Sequence, residues 1–386
     1  MQALLSYDQS PPLGAPLRFF LTAPFFGILA GLLLLWSGPE VFAARWTPAA
    51  LALTHLITAG FMLQVMLGAL MQILPVLLGA NMANPMRMAS VVHAAITLGA
   101  LFLVAAFQSY SPWLFKLAAL FSGLGVACFV GSAAQALHGI ASTNPTTQGL
   151  KLSLLGLSVT VILGMLLAVS LGWSLNLPLM LLADIHLGWG FVAWGVVLLA
   201  AVAYVVVPMF QLTPAYPDWF TRRFSISALA VLVLWTIAEL CQWGFISAML
   251  GTVLVALAAL FAGVTLSIQW RSKRARFDAT QHFWQFSMLC ALAACAVWLA
   301  ARIFPLFDEW TVWPVMCGVL LLFGGFMSVI VGMLYKIVPF LVWLHLQNLG
   351  QGRVMAPNMK KIIAEREMNR QMLAHVASCA LLLLAV

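Results

Sequence analysis

The sequence predicts an all-α fold, a polytopic bundle of about 11 transmembrane helices. Three observations predict it. The 386-residue chain is 64% hydrophobic and only 7% charged, with a mean hydropathy of +1.05. A soluble domain of that length could not hide so much apolar surface. Apolar runs of about 20 residues recur along the chain, the length a helix needs to cross the hydrocarbon core. The alternating strand pattern of a membrane barrel, the other fold that satisfies its backbone inside lipid, is absent.

The elements follow in order. Residues 1–17, MQALLSYDQSPPLGAPL, lack a basic region followed by a short apolar core, so they predict a loosely ordered cytoplasmic leader and no cleavable signal. Residues 18–386 read as a single transmembrane domain. Its apolar runs predict helices at 18–37, 48–79, 88–109, 113–139, 150–173, 178–210, 223–243, 245–270, 281–303, 312–346 and 371–386. The last, ending CALLLLAV, is shorter than a crossing needs, so either the crossing is partial or the run continues beyond it. The segment 347–370 contains a basic helical stretch expected at the inner membrane surface.

Charge orients the bundle. With the N-terminus inside, Arg18, Arg87, Lys151, Arg222, Arg223, Arg271, Lys273, Arg274, Arg276, Arg353, Lys360, Lys361, Arg366 and Arg370 are cytoplasmic, and only Arg45, Lys116 and Arg302 are outside. That asymmetry is what the positive-inside rule produces in a bacterial inner membrane, and it accounts for the net charge of +8 without any nucleic acid. Trp36, Trp46, Trp113, Trp173, Trp243, Trp310 and Trp313 form an aromatic belt near the outer face.

An internal repeat is expected. Helix two ends in GALMQILP (Gly68–Pro75), helix six in AVAYVVVP (Ala201–Pro208) and helix ten in GMLYKIVP (Gly332–Pro339). The helix number advances by four each time, which predicts three four-helix units, roughly 18–139, 150–270 and 281–386, in a pseudo-threefold arrangement. Chance likeness of apolar helices is the competing explanation, since a proline near a helix end is also a simple stop or kink.

Ionisable groups inside a bilayer cost about 2.5–3.5 kcal/mol each on insertion scales, so each needs a reason. Four fall in the outer half: His55 on helix two, Asp184 and His186 on helix six, and Glu239 on helix seven. At about 100° per residue His55, Met62 and Met66 share a stripe, which suits a metal or haem ligand above soft sulfur, or a core histidine with methionines filling gaps. Below His186 comes Gly190, leaving room for a flat macrocycle or for a neighbouring helix. Asp184 points away from His186, and with Glu239 it could line a proton or ion path. Neutral imidazoles on facing helices suit axial haem iron or copper. The remaining histidines, His93, His138, His282, His345 and His375, fall near inner helix ends. Of these His93, with Met82, Met86 and Met88, is a weaker candidate for Cu(I) beside a flexible Met-rich loop. The six cysteines read as small buried hydrophobes. There is no C-x-x-C, phosphate-binding loop, dinucleotide fingerprint or H-E-x-x-H.

The stretches HLITAGFMLQVMLGALMQILPVLLG, HLGWGFVAWGVVLLAAVAYVVVPMFQLTPAYP and MLYKIVPFLVWLH resemble subunit I of the haem-copper oxidases, and in particular its shortened, NnrS-type relatives. The resemblance implies three arcs of four helices and a haem b or copper cofactor. His55 matches a low-spin haem ligand, and His186 matches, by helix number, the copper ligand of helix six. It also implies a role in electron transfer, nitric-oxide or metal stress, or respiratory assembly, with a redox partner protein. Departures are equally clear. Gly190 stands where a tyrosine would follow His186, FSISALAVLVLWTIAEL carries no copper histidines, and helix ten offers only His345 at its inner end. A competent oxygen-reducing centre is therefore not expected. A proton or metal-ion transporter and a cofactor-free structural subunit are the rival readings.

Overall fold

The computed structural model describes residues 7–304, 310, 312–350 and 356–386. Among these the chain is all-α, with eleven long helices. They are α1 (Gly14–Ser37), α2 (Pro48–Leu78), α3 (Pro85–Ser109), α4 (Pro112–Ala136), α5 (Pro145–Trp173), α6 (Leu179–Gln211), α7 (Asp218–Leu240), α8 (Gly244–Trp270), α9 (Ala279–Ile303), α10 (Trp313–Leu349) and α11 (Glu365–Ala385). All but α11 are long and apolar enough to span a bilayer. The chain is an integral membrane protein. Arg353 lies outside the described residues.

Several helices begin earlier than their apolar runs suggest, because caps and first turns are polar. Prolines open α3, α4 and α5, where their missing N–H costs nothing. Asn144 accepts from the Thr146 amide at 2.9 Å and Asp278 from that of Gln281 at 3.0 Å, capping α5 and α9. α5 thus starts at Pro145, α7 at Asp218 and α11 at Glu365 rather than at 150, 223 and 371. Residues 14–17 belong to α1, and Ser10 and Gln9 are held by the side chains of Gln72 (3.0 Å) and Asn81 (3.3 Å) at the end of α2.

Three helices form the interior. Of the most apolar stretch of α2, α6 and α10, 78%, 50% and 56% is buried, against 17–33% for the other spans. The same three carry a wide π-helical stretch: Leu56–Met62, Trp189–Val196 and Val319–Met327. Leu56 precedes Pro75 by 19 residues, Trp189 precedes Pro208 by 19, and Val319 precedes Pro339 by 20. Regular helix with an internal proline follows each stretch.

Small residues recur at two positions before each proline: Gly60, Ala193 and Gly324 at fifteen, and Gly68, Ala201 and Gly332 at seven. Gly60 and Gly68 meet α1, Ala193 and Ala201 meet α5, and Gly324 and Gly332 meet α9. A Cβ on Gly68 would lie 2.8 Å from Phe20 and 3.1 Å from the Pro16 carbonyl of α1. Ala193 and Ala201 press on Gly156 and Gly149 of α5, and Gly332 on Phe283 of α9, where an added Cβ would sit 2.7 Å away. In lipid, helices gain little from burying apolar area against each other, so close van der Waals approach at small residues supplies the attraction.

The π stretches also meet one another. That of α2 touches that of α10. Phe191 of α6 and Phe326 of α10 have ring centres 5.9 Å apart. The third meeting, α2 with α6, brings two histidines together.

Candidate functional site

His55 is the last residue before the π stretch of α2, and His186 lies three residues before that of α6. π stretches interrupt the i→i−4 ladder and often mark functional positions. The His55 Nδ1 lies 2.7 Å from the Leu51 carbonyl of its own helix, and the His186 Nδ1 lies 2.9 Å from the Thr160 carbonyl of α5. A carbonyl only accepts, so each Nδ1 carries the proton and donates it. Each Nε2 is left with its lone pair, the arrangement of a metal-ligating histidine.

The two imidazoles lie near each other, with ring centres 6.4 Å apart and planes inclined by 21°. Phe107 of α3 covers His55, its ring centre 5.4 Å away. Gly164 of α5 makes room for His186, since a Cβ there would lie 3.0 Å from the ring.

The other sequence candidates fall as follows. Met62 and Met66 are buried in α2, but a π turn advances each residue by less than 100°. The expected stripe therefore does not run straight, and both are rotated from directly below His55. Gly190 lies at a close approach to α5, where a Cβ would meet Thr160 Cγ2 at 3.3 Å. Asp184 pairs with Arg45 at 2.8 Å, and Arg45 in turn lies over the Trp46 ring at 4.2 Å. Glu239 accepts a hydrogen bond from Ser247. His93 faces α1, where its Nε2 meets the Thr22 hydroxyl at 2.7 Å and its ring meets the Phe19 ring edge-on. Met82 is buried, whereas Met86 is exposed and reaches toward Gly14. His138, His282 and His345 are exposed. No group of three or more metal-ligating histidine, cysteine or acidic residues occurs among the described residues.

Two features escaped the sequence reading. His375 is buried, and its Nε2 reaches the Ser328 hydroxyl at 2.8 Å and the Phe323 carbonyl at 3.2 Å. Its ring stacks on Phe323 at 4.3 Å. It serves the π stretch of α10, and only the early start of α11 carries it that deep. The second is a polar latch at the end of the bundle holding the prolines. Asp278 binds Arg274 (2.5 Å) and Lys336 (2.7 Å), and Arg274 also donates to the Phe210 carbonyl at 2.6 Å. Burial pushes the Asp278 carboxyl up. The hydrogen bond and charge of Lys336, the Gln281 amide and Arg274 outweigh it and hold the pKa below the ordinary value.

No family model matches the chain, and no curated protein matches it.

Proposed function

We propose that this is a haem-binding membrane protein built on the plan of haem-copper oxidase subunit I, in which His55 and His186 would hold the haem iron. The single observation that carries the reading is the neighbouring imidazole pair, 6.4 Å between ring centres, with both Nδ1 protons tied to carbonyls. The recurrence of π stretch, small residues and proline in α2, α6 and α10 supports the three-unit scaffold. A bound haem b would supply one-electron redox chemistry. His55 and His186 would hold the iron, and the copper histidines of an oxygen-reducing centre are missing from α7. Leu51 and Thr160 hold the tautomers, and Phe107 covers one ring. The site would lie near the periplasmic face of a bacterial inner membrane with the N-terminus inside. Its role would be electron transfer, nitric-oxide or metal stress handling, or respiratory assembly with a redox partner.

A bare copper ion is the second reading. One observation favours it: Gly164 of α5 lies so close to the His186 ring that a Cβ there would come within 3.0 Å, which leaves room for a single ion more readily than for a macrocycle. A transporter is less supported, because Asp184 and Glu239 both already have partners.

The test is the visible spectrum and metal content of the detergent-purified protein, oxidised and dithionite-reduced, with His55→Ala and His186→Ala. A Soret band that sharpens on reduction and is lost in either variant supports haem at this pair. Stoichiometric copper without a Soret band, lost in the same variants, supports the second reading. A colourless, metal-free wild type expressed with ample haem and copper overturns both.

A further inference from the structure

The third unit differs from the other two at one matched position. Fifteen residues before the proline, Gly60 of α2 receives the Phe26 ring and Ala193 of α6 receives Gly156. At Gly324 of α10 the space is taken by two sulfurs. A Cβ there would lie 2.6 Å from Cys290 Sγ of α9 and 3.3 Å from Cys379 Sγ of α11. The sulfurs are therefore separated by no more than the sum of those distances. Both cysteines are free and buried, at 6% and 2% exposure, so the pair is shielded by the bundle. The surroundings are apolar, with Ala294 and Leu320 buried beside them and Phe286, Val319 and Phe323 packed around.

We propose that Cys290 and Cys379 form a two-sulfur site for a soft univalent cation, Cu(I) in the cell, separate from the histidine pair. Donor count and charge select the ion. Zinc takes four donors, and no group of three ligating residues occurs here among the described residues. Hard cations require several oxygen ligands, whereas the side chains packed around the two sulfurs are apolar. A soft monovalent ion prefers thiolate and accepts two donors. On entry one thiol proton leaves to water, and the cation and the new thiolate cancel. The second sulfur donates as a thiol, so the loaded pair carries no net charge into the apolar junction, where an unpaired charge would be costly. Gly324 is what permits the pair: a Cβ there would press on both sulfurs. The bound ion would tie α9 to α11 across the π stretch of α10.

The experiment uses the full chain in detergent, reduced and anaerobic, titrated with Ag(I) as the redox-inert probe. Wild type is expected to take up one tightly held equivalent with a new ultraviolet thiolate-to-metal absorption. Cys290→Ser and Cys379→Ser are each expected to lose that equivalent, whereas Cys241→Ser, at an exposed thiol, and His186→Ala are expected to keep it. X-ray absorption on Ag(I)-loaded wild type needs no variant, and it should give two sulfur neighbours for that equivalent. Retention of the equivalent in both cysteine variants, or a first shell of nitrogen alone, overturns the proposal. A loss in His186→Ala alone would assign the ion to the histidine pair and equally overturn it.

Discussion

Replacing Asp278 tests whether the latch holds the ends of α6, α9 and α10 together. Its carboxylate meets three groups: the Arg274 guanidinium, the Lys336 ammonium and the Gln281 amide that it caps. The Asp278 side chain is 18% exposed and those of Arg274 and Lys336 are each 26% exposed, so these charges are mostly out of water. Removing one partner of a buried pair costs about 3–5 kcal/mol, chiefly because the other charge is stranded. Arg274 keeps the Phe210 carbonyl, which leaves Lys336 as the stranded group. Partial exposure lowers the figure and the lost cap adds about 1 kcal/mol, so Asp278→Ala should destabilise by about 3 kcal/mol. Asn caps a helix as well as Asp, so Asp278→Asn should lose only about 2 kcal/mol. Adding Lys336→Gln to Asp278→Asn should recover part of that loss, since no stranded ammonium remains. Sodium dodecyl sulfate titration in mixed micelles, followed by tryptophan fluorescence, reads all three. The folded carboxyl pKa is lowered, so its contribution is complete above the ordinary aspartate value. It fades as pH falls through the folded value. The acid limb of stability should therefore be steeper in wild type than in Asp278→Asn. Asp278→Ala within about 0.5 kcal/mol of wild type, the range of an ordinary surface change, would refute the reasoning. A double variant no more stable than Asp278→Asn would refute the stranded-lysine argument.

Further outcomes follow from the same geometry. Gly68→Ala drives a Cβ to 3.1 Å from the Pro16 carbonyl and should destabilise by about 1–3 kcal/mol, whereas Gly131→Ala meets nothing within 4 Å and should be neutral or stabilising in the same titration. Ser328→Ala removes a hydroxyl that serves both His375 and the Phe323 carbonyl. A loss of about 1–3 kcal/mol is expected, with faster exchange of amides in the π stretch of α10. Asp184→Asn should change stability by less than about 1 kcal/mol, because its pair with Arg45 is more than a third exposed. With the N-terminus inside, the exposed Cys241 between α7 and α8 should react with a membrane-impermeant maleimide added outside intact spheroplasts. Labelling only after lysis would reverse the expected orientation.

Composition settled the fold class, because 64% apolar residues in runs of bilayer length admit only helices or barrels, and the alternating pattern was missing. The prolines of helices two, six and ten were legible as a recurring feature, and the structure shows that these same three helices are the most buried. His55 and His186 were legible too, as ionisable groups that a lipid-facing position would not tolerate. What the sequence could not supply was register. A π stretch leaves no composition signature, so the 100° stripe of His55, Met62 and Met66 looked straight until the backbone showed the wider turn. Polar first turns hid the starts of α5, α7 and α11, and with them the depth of His375. Cys290 and Cys379 are 89 residues apart and have no motif spacing; only the packing of α9 and α11 around Gly324 brings them together. The same holds for the neighbouring imidazoles. Each histidine is a local fact of its own helix. Their 6.4 Å separation depends on packing between helices, including the close approach of α5 to α6 at Gly149, Gly156 and Gly164.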